Sequence, residues 1–348
     1  MDRKSYASIE EKNHPCVKKE VFDFQNIKLS SLENNQLVEH MLNLFNEILP
    51  KENDGTGEWE WLQKNKQNNF INALLERKTG VVSEFLTNMF RNEATYGYLS
   101  PSFSDAILIP EMVKSDILCN IDSCVEFSDI SDIGDLTSVY GNPYGLKVDK
   151  HCILPDTPRH YYYSYNISRL LDGDTPPILV EIGGGYGGLC LQNWKRFEGN
   201  CTIVNIDLCP ALAVTYFYLE KNGIPVNLIT EKNRELKANM VNLIIAGEVK
   251  NLSDIIPKSD VVFNSRSLCE MHVDTITEYF YFINSSEVKF IYHENSNYLL
   301  FPNSERHVEV IADKFPIDNK KFKLRSKYLT PFTGGKGRYR EYIYERPS

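Results

Sequence analysis

Between residues 31 and 90, apolar side chains recur every three or four positions, and three amphipathic helices follow from that spacing. The first stripe runs from Leu32 to Leu49 through Leu37, Met41, Leu42, Leu44, Phe45 and Ile48, and Pro50 ends it. After the loop KENDGTG, a second helix starts near Glu58 and carries Trp59, Trp61, Leu62, Phe70, Ile71 and Leu74 towards Lys78. A third, after Gly80, sets Val81, Val82, Phe85, Leu86, Met89 and Phe90 on its apolar side. Residues 1–30 show no strong periodicity. From Tyr96 to Lys150 the pattern weakens into short apolar pieces such as AILIPEMV, with turn signals at GYLSPS, SDIGD and GNPYG, and it reads as a mixed connector.

A new order begins near residue 154. If LPDTPRHYYYSYNISRLL (154–171) is helical, it presents four tyrosines beside Arg159 and His160, either as one wall of a substrate site or as a helix packed on a sheet. In PPILVEIGGGYGGLCLQNWKRF (176–197), Ile178, Leu179, Val180 and Ile182 give the continuous apolar run of a strand buried on both faces. Leu189, Leu191, Trp194 and Phe197 then mark a helix. CTIVNIDL is a second strand ending in Asp207, and Pro210 opens a helix that Gly223 closes. VNLI occurs at 226–229 and again within MVNLIIAG at 240–247; the second is the expected core strand, and 224–239 an excursion. SDVVFNSRSLCEMHVDTITEYFYFINS (259–285) repeats the strand-turn-helix unit, and VKFIYHENSN is a further strand. The tail FKLRSKYLTPFTGGKGRYREYIYER predicts two strands joined around Gly334, Gly335 and Gly337. The alternation predicts an α/β fold over residues 151–348, preceded by a mainly helical region, 1–150, that serves as a substrate-binding or dimerisation cap.

Composition adds limits. Hydrophobic residues at 42% and charged residues at 24% fit a soluble globular protein. No apolar run reaches the length of a membrane span and MDRKSYASIEEKN lacks the core of a signal peptide, so a cytoplasmic protein is expected. The eight cysteines show no CxxC spacing, which argues against a zinc site, and no carboxylate cluster assigns another metal. A net charge of -9 disfavours non-specific nucleic-acid binding. That charge is uneven: residues 320–346 carry nine basic side chains against two acids, as a solvated sheet edge or a surface for an anionic substrate.

The chemistry concentrates at EIGGGYGG. Gly183, Gly185 and Gly188 fit GxGxxG, the dinucleotide fingerprint. Glu181, Gly183, Gly185 and Gly187 also fit ExGxGxG, the first motif of class I methyltransferases that use S-adenosyl-L-methionine. The acid separates the two, because a carboxylate at the strand mouth can bind the ammonium of a methionine moiety but repels a pyrophosphate. Asp207 can accept from ribose hydroxyls and serves either nucleotide. An NAD-dependent oxidoreductase, a non-catalytic nucleotide-binding module and a turn needed only for tight packing are the competing readings. The GGKG run lacks the upstream glycine and the Ser or Thr of a P-loop.

Taken together, VEIGGGYGGL, NIDLCPALAVTYFYL, VVFNSRSLCEM and TPFTGGKGRYREYIYER, spread over roughly residues 155–346, resemble the sugar O-methyltransferases, a bacterial family associated with surface-polysaccharide gene clusters. The resemblance implies a Rossmann-like class I methyltransferase sheet with a C-terminal antiparallel hairpin, and methyl transfer from S-adenosyl-L-methionine to the hydroxyl of a sugar or nucleotide sugar. Glu181, Gly183, Gly185, Gly187, Asp207, Gly247, Glu248 and Asn264 are the expected donor-binding set. A sugar hydroxyl is a poor nucleophile, so a general base is needed, and Glu270, His272 and His293 are the candidates. His160, Arg266, Arg338 and Arg340 are expected to bind the acceptor, the arginines orienting an anionic part of it. Homo-oligomerisation is compatible with all of this.

Overall fold

The computed structural model describes residues 31–49, 58–99, 103–108, 110–125, 138, 140–148, 151–171, 175–298, 310–332 and 338–347. Expectations for residues 1–30, the KENDGTG loop, SDIGD and the GGKG turn lie outside them. Helix α1 (Ser31–Phe45) buries Met41, Leu42 and Phe45 of its expected stripe, together with Val38, which lay outside that stripe, while Leu44 is exposed. The single helix expected from Glu58 is two, α2 (Glu58–Lys66) and α3 (Asn68–Leu75). The break is at Gln67, whose φ of -120° leaves the helical region and whose buried side chain donates to the Tyr96 carbonyl at 2.9 Å. A tertiary hydrogen bond there outweighs helix continuity. Helix α4 (Thr79–Thr87) follows.

The expected connector is largely helical, with α5 (Phe103–Leu108) and α6 (Pro110–Val125). The proline dividing AILIPEMV does not end a helix; it opens α6, where its missing N–H has no intrahelical partner to lose. A short antiparallel pair, β1 (Leu146–Val148) and β2 (His151–Ile153), leads into α7 (Thr157–Leu170).

The main sheet contains β3 (Ile178–Ile182), β4 (Thr202–Asp207), β5 (Val226–Leu228), β6 (Val241–Ile245), β7 (Lys258–Ser265), β8 (Glu287–Ser296), β9 (Lys323–Leu329) and β10 (Tyr339–Glu345), in the order β5-β6-β4-β3-β7-β8-β10-β9. Strands β3 to β8 run parallel, and β10 is antiparallel to both β8 and β9. The result is an α/β sheet that is parallel over six strands and closed at one edge by the antiparallel pair β9 and β10. The excursion expected over 224–239 contains a strand: β5 pairs with β6 in register Val226 to Val241. Its buried Asn227 donates to Asn242 at 2.9 Å, a polar contact that apolar periodicity does not reveal.

Side chains alternate across the sheet. Leu179, Val261, Phe263 and Tyr292 face one apolar cluster, covered by α7, α8 (Gly188–Arg196) and α9 (Cys209–Lys221). Val180, Ile182, Val262 and Ile291 face the other, covered by α10 (Leu252–Ile255) and α11 (Val273–Ser285). Val38, Phe45, Phe70 and Leu86 from the N-terminal helices belong to the first cluster, so that region shares a core with the sheet. No helix among the described residues is long and apolar enough to cross a membrane.

The strand order reverses at β3, which places a crevice at the carboxyl ends of β3, β4 and β7. Asn264, at the end of β7, ties this region together. It donates to the Ile182 carbonyl at 2.8 Å, while its Oδ1 accepts from Asn295 Nδ2 at 2.8 Å and from Leu268 N at 3.3 Å. Replacing Asn264 by Leu removes these partners within a buried site and should lower unfolding free energy by about 2–4 kcal/mol in urea titrations. A loss below about 1 kcal/mol would contradict this role.

Candidate functional site

The turn after β3 is built by glycines. Gly183 and Gly185 take φ of 71° and 58°, and a Cβ on Gly183 would fall 2.1 Å from Ser267 Oγ. Asp207, at the end of β4, fixes the loop: Oδ2 accepts from Gly185 N and Oδ1 from Leu208 N, each at 2.7 Å. Thr215 Oγ1 on α9 donates to the Gly185 carbonyl at 2.7 Å. Below the loop, Glu181 is buried and accepts from Cys190 Sγ at 3.1 Å. Burial raises its carboxyl to about 7, with the Cys190 hydrogen bond opposing and the Asp207 charge adding.

A cleft of about 350 Å³ opens above this turn. Of the residues expected from sequence, Glu181, Gly183, Gly185, Asp207, His160, Arg266 and Glu270 all line it. The others do not. Gly187 packs against Thr215 at the start of α8, and Asn264 is held in the strand-end network described above. Gly247 is exposed and Glu248 bonds Asn251 in the turn after β6, where the neighbouring Ala246 is the residue on the cleft.

Two base candidates are also displaced. His272 is exposed at the N-terminus of α11, where its Nδ1 accepts from Asp274 N at 3.4 Å. His293 is buried on the opposite face of the sheet, stacked on Tyr342 with centroids 4.6 Å apart and near Phe315. Burial lowers its pKa to about 3. In β8, positions 290, 292 and 294 face α7 while 291 and 293 face the other layer, so strand alternation turns His293 away from the cleft. Arg338 is exposed and Arg340 half-buried, whereas Tyr339 between them lines the cleft. The basic residues of β9 sit on the sheet edge, Lys327 against Asp313 at 2.6 Å and Arg325 against Glu345 at 3.7 Å.

The rest of the lining comes from α7, β7 and the N-terminal region, with Tyr98 close against Gly185 and His160 close against Gly188. Tyr161, Tyr162 and Tyr163 of α7 are buried packing residues, but Arg159 and His160 in its first turn reach the cleft. Arg159 Nη2 pairs with Asp156 at 3.0 Å, and Nη1 reaches Ser265 Oγ at 3.5 Å. Arg266 adopts a left-handed backbone, φ 66°, and its guanidinium returns to Glu294, with Nε to Oε2 at 3.1 Å and Nη2 to Oε1 at 3.2 Å. Glu294 is fully buried; although burial alone would raise its carboxyl, Arg266 and then Arg159 hold it down at about 2. His160 Nδ1 lies 3.3 Å from the Tyr186 hydroxyl, and burial, reinforced by both arginines, lowers its pKa well below the usual histidine value. Trp59 and Tyr98 stack with centroids 5.2 Å apart and also line the cleft.

Sequence reasoning named Arg159 only as part of one possible substrate wall and assigned no role to Tyr98, Ser265 or Tyr339. For Glu294 a signal existed: it stands two positions beyond Tyr292 and four beyond Phe290, on the core-facing set. For Trp59 and Tyr98 no local signal distinguishes a cleft residue from helix packing.

No family model and no curated protein matches this chain. Solved structures similar to part of it include TrmN from Thermus thermophilus, 13% identical over 54% of this chain and 49% of that one, with a TM-score of 0.37. The PH0226 protein from Pyrococcus horikoshii OT3 is 10% identical over 54% of this chain and 91% of that one, TM-score 0.39. Magnesium protoporphyrin IX methyltransferase (ChlM) from Synechocystis PCC 6803, with bound SAH, is 12% identical over 55% and 85%, TM-score 0.36. The aligned region thus spans about half of the TrmN chain.

The raised carboxyl of Glu181 has a measurable consequence. A folded-state pKa near 7, above the unfolded value near 4.5, contributes stability at low pH that is lost as pH rises through 7. Glu181→Gln should therefore gain stability relative to the parent protein as pH goes from about 5 to about 8 without ligand. Parallel stability curves in denaturant titrations across that range would contradict the assignment.

Proposed function

We propose that this protein is an S-adenosyl-L-methionine-dependent O-methyltransferase that acts on a sugar hydroxyl in the cytoplasm, in bacterial surface-polysaccharide biosynthesis. The observation that carries this reading is Glu181, a buried acid that precedes the glycine turn and lines the same cleft as Asp207. Burial keeps the Glu181 pKa raised despite the charge of Arg159, and the ammonium of a methionine moiety would supply a further cation. Gly183, Gly184 and Gly185 bring main chain to the cleft beside Asp207, the acid that the proposed reading assigns to ribose hydroxyls. S-adenosyl-L-methionine, when bound, supplies an electrophilic methyl group on a sulfonium.

The chain's own residues must then align an oxygen with that methyl and take its proton. Glu270 is the proposed base, because of the three acids and histidines expected there it is the one that lines the cleft. Trp59 and Tyr98 bring a stacked aromatic pair from the N-terminal region to the cleft, and such a pair suits the apolar face of a sugar ring. Transfer of a labelled methyl group to a panel of free and nucleotide-linked sugars tests the reading. Glu270→Gln should lower turnover by about 100-fold or more and leave S-adenosylhomocysteine affinity within about twofold. Unchanged turnover would remove Glu270 as the base. Cofactor binding with no sugar methylated would point to another acceptor class or to a binding module.

A further inference from the structure

We propose that the corner of the cleft formed by Arg159 and Arg266 binds an acidic group, a carboxylate or a phosphate, carried by the acceptor. The two guanidinium groups come from elements far apart in the chain, the first turn of α7 and the bend after β7, yet two intermediates join them. Arg159 Nη1 reaches Ser265 Oγ, and Ser265 Oγ donates to Glu294 Oε2 at 2.9 Å, the same oxygen that accepts from Arg266 Nε. Both arginines line the cleft, whereas their carboxylate partners do not: Glu294 is fully buried and the Asp156 side chain is 6% exposed. The carboxylates therefore stand behind the guanidinium groups and hold them forward.

Neither guanidinium has its hydrogen bonds filled. Arg159 Nε is buried without a partner, and the Arg159–Ser265 contact is long. Arg266 spends one edge on Glu294 while its side chain stays 23% exposed, and its remaining contacts are the Phe332 carbonyl at 3.4 Å and the Tyr339 ring at 4.7 Å. Burial first, and then the charges of both arginines, lower the pKa of neighbouring His160. Guanidinium forks match the planar oxygens of a carboxylate and the tetrahedral face of a phosphate alike. The cleft lining thus carries both signs of charge, Glu181 and Asp207 together with Arg159 and Arg266.

The proposal rests on the methyltransferase reading only in taking the ligand of this corner to be the acceptor. Saturation-transfer NMR on the full chain, saturated with S-adenosylhomocysteine, tests it with three probes: D-glucose, D-glucuronate and glucose 6-phosphate. At least one acid should bind about tenfold or more tightly than glucose, the amount expected of one charge-assisted pair. Arg159→Lys keeps a positive charge beside Asp156 but loses the fork, and should cut that preference by about fivefold while S-adenosylhomocysteine affinity and the unfolding midpoint hold. Preference for glucuronate alone identifies a carboxylate, for glucose 6-phosphate alone a phosphate, and for both an anion in general. Equal binding of all three probes, no binding of any, or an acid preference unchanged in Arg159→Lys overturns the proposal. Failure to bind S-adenosylhomocysteine counts instead against the donor reading, and the probe preference is then read on the ligand-free protein.

Discussion

Two buried asparagines hold the ends of three parallel strands in one arrangement. Asn264 bonds the last carbonyl of β3, the RSLCE turn through Leu268 N, and Asn295 of β8, while Asn295 Oδ1 accepts from Cys269 N at 3.1 Å. Parallel ladders satisfy the backbone within the strands but leave strand ends to find other partners. Here side-chain amides supply them, and the glycine turn, the left-handed bend at Arg266 and the first residues of β8's exit loop are placed relative to one another as a result. The cleft exists because these ends are fixed; apolar packing on either face of the sheet does not by itself set their positions.

On that frame the charges are arranged with little waste. Asp207 holds the glycine turn through Oδ2 and its own strand end through Oδ1, and Glu181 stays buried beneath, accepting from the Cys190 thiol. Elsewhere along the cleft, Glu294 sits behind Arg266 and keeps it extended. Removing Arg266 would leave the Glu294 charge uncompensated in a fully buried place, which is more damaging than removing both. The same reasoning separates residues that shape the site from residues that can meet a ligand. Glu294 and Asn264 belong to the first group, Arg159, Arg266, Glu181 and Glu270 to the second.

Legibility followed chain distance. The glycine-turn part of the cleft could be read from the sequence because Glu181 and its glycines are contiguous and Asp207 ends the next apolar run. The α/β order and the closing antiparallel pair were readable for the same reason, since period and turn chemistry are local properties. The contact of Arg159 with Ser265 was not, because the two meet only through the packing of α7 on the sheet, 106 positions apart in the chain. His293 and Glu294 illustrate the finest limit. They are neighbours, and only the register of β8 decides which one turns to the cleft side and which one enters the opposite core. Helix α6 was hidden by a proline that opens a helix instead of ending one.

The central claim is that the acid and glycines after β3 hold a methyl donor and not a dinucleotide. Calorimetric titration of the full chain with S-adenosylhomocysteine and with NAD, side by side at one pH, tests it most directly. The account predicts saturable one-to-one binding of S-adenosylhomocysteine that Glu181→Gln weakens by about tenfold or more, and no measurable heat with NAD. Saturable binding of NAD with none of S-adenosylhomocysteine would contradict it.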